Sequence, residues 1–261
     1  MKRVDFIGAS GSGKSTVYRE LHHQGAKKGL WFTPREAQTL VAKNHLKTNK
    51  KSSRDLLFKA ILSMPYSEHI QPKVAEYVLS KRVTESLWQK AEEHKTFLSA
   101  VLKGASNEDR EPLHRLMGLN WFYSVCKNVV FLENSFFQEI VLYDESLSQK
   151  VFGVTDWHKG KFKHTAEEYF YNLPLPAGLI YFYIAPEAAF KRLKERDKVT
   201  TGQHKLDEQG LLESIEAQAE IAATGTEILK NRGVKLLELD SELPPAQNAE
   251  RIISFIKAEL S

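Results

Sequence analysis

Cysteine occurs once in the 261 residues, as Cys126, which excludes an internal disulfide. Its helical, aromatic neighbourhood reads as that of a buried, inert thiol rather than a nucleophile. Long apolar runs are missing as well: the clearest, residues 179–185, is far short of a membrane span. Met1, Lys2 and Arg3 lead directly into the first apolar segment, with no signal-peptide h-region. A soluble, cytoplasmic chain is expected. Nor does one sign of charge dominate: 37 Lys plus Arg against 33 Asp plus Glu leave a net +4. That balance is compatible with anionic small molecules and gives little support for a nucleic-acid partner. The nine histidines lack zinc-ligand spacing. Repeats, low-complexity tracts, an N-K-x-D guanine signature and an L-S-G-G-Q transporter signature are all absent.

What is present begins at residues 8–15, GASGSGKS, which fit the phosphate-binding pattern G-x-x-x-x-G-K-[ST]. The run lies between a predicted strand (residues 3–7, RVDFI) and a predicted helix (residues 15–24) that stops at Gly25. A helix N-terminus offers unpaired backbone N–H groups and a favourable dipole to phosphate oxygens, and glycines let the backbone curl around them. Gly8, Ser10, Gly11, Ser12, Gly13 and Thr16 are therefore candidate nucleotide-binding residues. Lys14 is placed to reach the β and γ phosphates, and the Ser15 hydroxyl to bind magnesium. ATP with Mg²⁺ is the expected cofactor pair.

With 42% hydrophobic residues the chain can fill a sizeable core, and we read it as one domain spanning residues 1–261. Five short strands are predicted, at residues 3–7, 29–32, 139–143, 179–184 and 234–239. Helical segments separate them, which predicts an α/β fold of three layers. Its five-stranded, mainly parallel sheet would bind ligand at the carboxyl ends of the strands. Residues 37–128 read as a long helical insert between the second and third strands. The basic stretch at residues 43–54 reads as a solvated loop.

Chemistry is expected at the strand ends. The apolar third strand delivers Asp144 and Glu145 to the sheet edge, a Walker B pattern in which one carboxylate holds magnesium and the other orients or deprotonates a nucleophile. Beyond the fourth strand, Arg192 and Arg196 are four residues apart and share a helix face, a cationic clamp for a phosphoryl group in transfer. The polar sequence that follows makes residues 192–210 a candidate lid. Trp121, Phe122 and Tyr123 read as core. Residues 156–164 offer Asp156, His158 and Lys163 either to an acceptor or to solvent.

This order of motifs resembles the thymidylate kinase and deoxynucleoside kinase branch of the P-loop kinases, over most of the chain outside the insert. Thr33-Pro34-Arg35-Glu36 is similar to the T-R-E-P segment of thymidylate kinases. The resemblance implies that Arg35 binds the acceptor and that Glu36 acts on its hydroxyl or on magnesium. Asp144-Glu145-Ser146 is similar to the family's D-R-[YFH] or E-R-S motif, with Glu145 standing where the family has arginine. Residues 180–196 resemble the family's strand and lid-leading helix, and Asp240 would lie near adenine. The implied activity is transfer of the γ-phosphoryl group of ATP to a hydroxyl or phosphate on a sugar, glycan, nucleoside or nucleotide, in a protein that can form a homodimer. The competing reading is a hydrolytic ATPase or nucleotide switch acting on a protein partner, because an apolar strand ending in Asp-Glu also serves water activation.

Overall fold

The computed structural model describes residues 1–25, 29–48, 53–64, 70–106, 111–135, 137–155, 162–195 and 206–260. The chain begins with β1 (Lys2–Ile7) and α1 (Lys14–Gly25). Five helices follow: α2 (Pro34–Thr48), α3 (Ser53–Ser63), α4 (Gln71–Gln89), α5 (Lys95–Ala105) and α6 (Pro112–Asn134). Then come β2 (Ile140–Tyr143), α7 (Leu147–Val154), α8 (Phe162–Asn172), β3 (Gly178–Tyr183) and α9 (Pro186–Lys194). The chain closes with α10 (Glu208–Asn231), β4 (Lys235–Asp240), α11 (Pro245–Phe255) and a π-helical turn (Ile256–Leu260). No helix among the described residues is long and apolar enough to cross a membrane.

All strand pairs are parallel, in the order β2-β1-β3-β4. The sheet therefore has four strands among the described residues, not the five expected. The segment at residues 29–32 forms a single bridge, Phe32 to Val141, in which Phe32 N donates to Ile140 O at 2.9 Å and Leu142 N to Phe32 O at 3.0 Å. Its neighbours explain the truncation. Gly29 turns the chain at φ +63°, and Thr33 already receives the first helical bond, from Ala37 N. Too few residues remain between the turn and the helix to build a ladder.

Period-two alternation divides β1 between two cores. Val4 and Phe6 face α1 and α11, where Val17, Leu21, Ile252 and Phe255 are buried with Ile180 and Phe182. Each such side chain contributes about 1.5–3 kcal/mol on burial. On the opposite face Ile7, Val141, Tyr143 and Leu179 join residues of α6, α7, α8 and α10. Arg3 and Asp5 also point to this second face, fully enclosed, and their ion pair measures 3.1 Å. Arg3 also donates to Glu133 Oε1 at 2.6 Å and to the Pro174 carbonyl, while Asp5 Oδ2 accepts from Ser148 Oγ at 2.7 Å. Buried charges persist only when so paired. Here the pairing also ties β1 to α6 and α7. Cys126 is buried on α6, and burial pushes its thiol up to about 12.

Candidate active site

The first turn of α1 contains no acidic residue, leaving its N-terminus open to an anion. The loop before it needs glycine at two left-handed positions, Gly11 (φ +84°) and Gly13 (φ +81°). A Cβ on Gly11 would also fall 2.7 Å from the Ala189 carbonyl, so α9 closes tightly on the loop. Lys14 curls back over it: Nζ donates to Gly8 O at 2.6 Å, Ala9 O at 2.9 Å and Ser12 Oγ at 3.0 Å. Ser15 is exposed, and Thr16 N donates to Gly13 O at 2.9 Å. Two glutamines outside the motif also hold the loop. Gln149 on α7 bonds both backbone groups of Gly8, and Gln218 on α10 accepts from Ser10 N at 2.9 Å.

Parallel pairing of Asp5 with Tyr143 puts Asp144 just past the end of β2, two residues short of the level of Gly8. Asp144 is half-buried, and burial, then the neighbouring Glu145 charge, raises its pKa. Tyr18, one helical turn beyond Lys14, donates to the Leu142 carbonyl at 3.2 Å. Its phenol is pushed up by burial, then by the charges of Asp144 and Glu36, with Arg35 opposing. Tyr18 thus ties α1 to the end of β2 and lies within electrostatic reach of the N-terminus of α2. Sequence reasoning missed it, although its spacing of four from Lys14 puts both on one helix face.

Glu36 closes the start of the helix on which it stands. Its Oε2 accepts from Thr33 N at 2.7 Å and Thr33 Oγ1 at 2.9 Å, while Glu36 N donates to Thr33 Oγ1 at 3.2 Å. This is a capping box at the start of α2. Glu145 is half-exposed and accepts from Lys150 Nζ at 3.2 Å. Lys150, also missed in the sequence, is almost completely buried, and its ammonium lies 3.1 Å from the centre of the Trp121 ring. Burial lowers its pKa to about 8 against the pull of Glu145 and Asp144.

A cavity of about 470 Å³ opens beside the loop, lined by Gly11, Gly13, Arg192, Ser241, Pro244 and Asn248. Arg192 Nη2 donates to the Ser241 carbonyl at 2.9 Å, and a Cβ on Gly13 would lie 3.8 Å from Arg192 Nη1. Arg192 therefore stands beside the phosphate loop on this cavity. Asp240 does not line it; Asp240 Oδ1 accepts from Glu242 N at 2.8 Å and its carbonyl from Asn248 Nδ2 at 2.8 Å, so it shapes the turn that does. Asp156, His158, Arg196 and most of the expected lid lie outside the described residues. The flanks of that lid are joined by an ion pair between Lys194 and Glu208. A larger cavity, about 640 Å³, lies among α2, α4 and α6 and shares no residue with the loop.

Among the described residues no group of three or more His, Cys, Asp or Glu is arranged to hold a metal ion. Magnesium does not require one, since it keeps waters and phosphate oxygens and takes only one or two protein ligands. The Ser15 hydroxyl and the half-buried Asp144 carboxylate, whose charge a cation would relieve, fit that role.

No family model matches the sequence, and no curated protein matches it. Among solved structures, the chain is similar to deoxyadenosine kinase from M. mycoides with bound dATP, at 13% identity and TM-score 0.48, covering 99% of this chain and 100% of that one. The same enzyme with products dCMP and a flexible dCDP gives 14% and 0.48, covering 98% and 99%. With bound dCTP it gives 13% and 0.45, again covering 98% and 99%. At this level of likeness no activity is transferred to the chain.

Proposed function

We propose that the chain is an ATP- and magnesium-dependent phosphotransferase that moves the γ-phosphoryl group onto a hydroxyl of a small molecule. The observation that carries this reading is that Tyr18, on the helix that follows the phosphate loop, bonds the end of β2 and feels the charges of Asp144, Glu36 and Arg35, none of which lines the Arg192 cavity. In this reading the 470 Å³ cavity takes the nucleoside of ATP, with Arg192 and Pro244 as walls. The loop amides and Lys14 take the phosphates, and the acceptor approaches from the Arg35 side. Ser15 and Asp144 would hold magnesium, which supplies charge neutralisation on the phosphate oxygens.

Phosphoryl transfer asks the protein for positioning and electrostatics more than for covalent chemistry. Arg35 would orient the acceptor. Glu36, held in place by both Thr33 donors, would accept the proton of its hydroxyl. In the hydrolytic alternative Glu145, half-exposed and with Oε2 accepting from Lys150, would activate water instead.

The test is turnover of ATP with magnesium against a panel of nucleosides, nucleoside monophosphates, monosaccharides and glycan fragments, measuring ADP and phosphorylated product. ADP that rises with one acceptor, matched by a product one phosphate heavier, supports the kinase. ADP formed at the same rate without any acceptor overturns it in favour of the hydrolase.

A further inference from the structure

Two residues that line the 470 Å³ cavity, Ser241 and Asn248, carry enclosed side-chain oxygens with no hydrogen-bond partner among the described residues, Ser241 Oγ and Asn248 Oδ1. Ser241 is 7% exposed and Asn248 1%, so bulk solvent does not satisfy them. An enclosed polar atom keeps its desolvation cost until a partner arrives.

The surrounding turn settles what each oxygen can do. Asn248 Nδ2 donates to the Asp240 carbonyl at 2.8 Å. A carbonyl only accepts, so the amide cannot be turned over, and its remaining group, Oδ1, is an acceptor alone. Asn248 N donates to the Pro244 carbonyl at 3.2 Å, which fixes the residue in the first turns of α11. Ser241 is held by its backbone: its N donates to Tyr183 O at 2.9 Å, and its carbonyl accepts from Arg192 Nη2 at 2.9 Å. Its hydroxyl takes no part in these bonds and can donate or accept.

A ligand that suits the pair brings an N–H to Oδ1 and a lone pair to the Ser241 hydroxyl. Adenine has that combination, since its 6-amino group donates and a ring nitrogen beside it accepts. Guanine carries a carbonyl oxygen at the same position, which would set two acceptors against each other.

We propose that Asn248 reads the 6-amino group of the donor nucleotide, with Ser241 Oγ donating to a neighbouring ring nitrogen, and thereby makes the cavity selective for adenine over guanine. The assignment rests on the reading of this cavity as the nucleoside site of the phosphoryl donor, and it names the base and the atoms that recognise it.

The test is the affinity of the full-length wild type, Asn248→Leu and Ser241→Ala for the magnesium complexes of ATP, GTP and purine riboside 5′-triphosphate, by titration calorimetry, with the thermal midpoint of each free protein. Purine riboside keeps the ring nitrogens of adenine and lacks the amine. Wild type is expected to bind ATP about tenfold more tightly than either of the other two. In Asn248→Leu, which keeps the volume but has no amide, the preference for ATP over purine riboside triphosphate should fall below about twofold. Loss of the Asp240 bond alone would loosen the turn and weaken both nucleotides alike, so a preference that stays near tenfold in Asn248→Leu overturns the assignment. Ser241→Ala should weaken ATP and purine riboside triphosphate by the same factor, about threefold, because both offer the ring nitrogen. Unchanged affinity for both overturns the part given to Ser241. The wild-type comparison needs no variant to fold: equal affinity for ATP and purine riboside triphosphate, or GTP bound as tightly as ATP, overturns the assignment by itself. Folded wild type that binds none of the three overturns the donor site.

Discussion

The Lys150 ammonium is held between the face of Trp121, 3.1 Å from the ring centre, and Glu145 Oε2 at 3.2 Å. A side chain of α6 thereby covers a cation that adjoins the Asp144-Glu145 edge of the sheet. Cation–π attraction and the carboxylate offset part of the burial cost, but not all, because the pKa of Lys150 stays near 8.

A pH dependence follows from that shift. Below about pH 8 Lys150 is protonated both folded and unfolded, and the burial penalty is felt in full. Between about 8 and the ordinary lysine value of 10.5 the unfolded chain holds a proton that the native state has lost, so native stability rises with pH. Lys150→Met lacks this linkage. The stability of wild type minus that of Lys150→Met, from urea unfolding, is expected to grow by about 1–2 kcal/mol between pH 7.5 and 9.5. A difference that stays flat or shrinks would show that the buried ammonium is fully compensated.

For Glu36, stability and catalysis can be separated. Glutamine still closes a capping box, whereas Thr33→Val removes the hydroxyl that both donates to Glu36 and accepts from its N–H. Thr33→Val is expected to cost about 1 kcal/mol of stability. Glu36→Gln should leave the thermal midpoint nearly unchanged and lower kcat by about 10²-fold, the scale of general-base removal. Wild-type turnover in Glu36→Gln would leave the residue with its capping role alone.

These residues also mark where sequence reasoning stops. The phosphate loop is legible because its chemistry is local: glycine conformations, a lysine and a helix start within eight residues. The capping box Thr33 to Glu36 is equally local, but a T-x-x-E spacing serves structure and catalysis alike, and only the structure reveals the Thr33 bonds. The second strand was overread because Trp31 and Phe32 are apolar, although Gly29 and the Thr33 cap leave no length for a ladder. Lys150 was invisible for a different reason. A lysine in the sequence reads as solvated; its burial depends on α6 crossing α7 where Gly118 meets Gly153 so closely that a Cβ on Gly118 would fall 2.0 Å from the Gly153 carbonyl. That approach brings Trp121 over Lys150, and no spacing within either helix encodes it.

Arg192 is expected from the sequence to act on the phosphoryl group in transfer, and in the structure it bonds the Ser241 carbonyl on the wall of the 470 Å³ cavity that we propose takes the nucleoside of ATP. A residue that holds the nucleoside of ATP contributes equally to ground state and transition state. Arg192→Met is therefore expected to raise the KM for ATP about tenfold and to keep kcat within about threefold of wild type. Steady-state kinetics with ATP varied at saturating acceptor make the measurement. A fall in kcat of about 10²-fold at unchanged KM would return Arg192 to the reacting phosphate.

Asp144 is the residue on which binding and chemistry should part most clearly. Its carboxylate is half-buried next to Glu145, an arrangement that raises its pKa and disfavours its charge until a cation arrives. The loop amides, Lys14 and the Arg192 cavity do not depend on it, so Asp144→Asn should still bind ATP within about threefold of wild type. The asparagine oxygen is a weaker magnesium ligand and carries no charge. kcat at fixed magnesium is expected to fall by at least about 10²-fold, and the magnesium concentration giving half-maximal rate to rise. Lys14→Ala should differ in kind, losing turnover while leaving the thermal midpoint of the free protein close to wild type. If Asp144→Asn turned over normally at the same magnesium concentration, the cation would have to be held elsewhere. The end of β2 would then be only the place where the strand meets solvent.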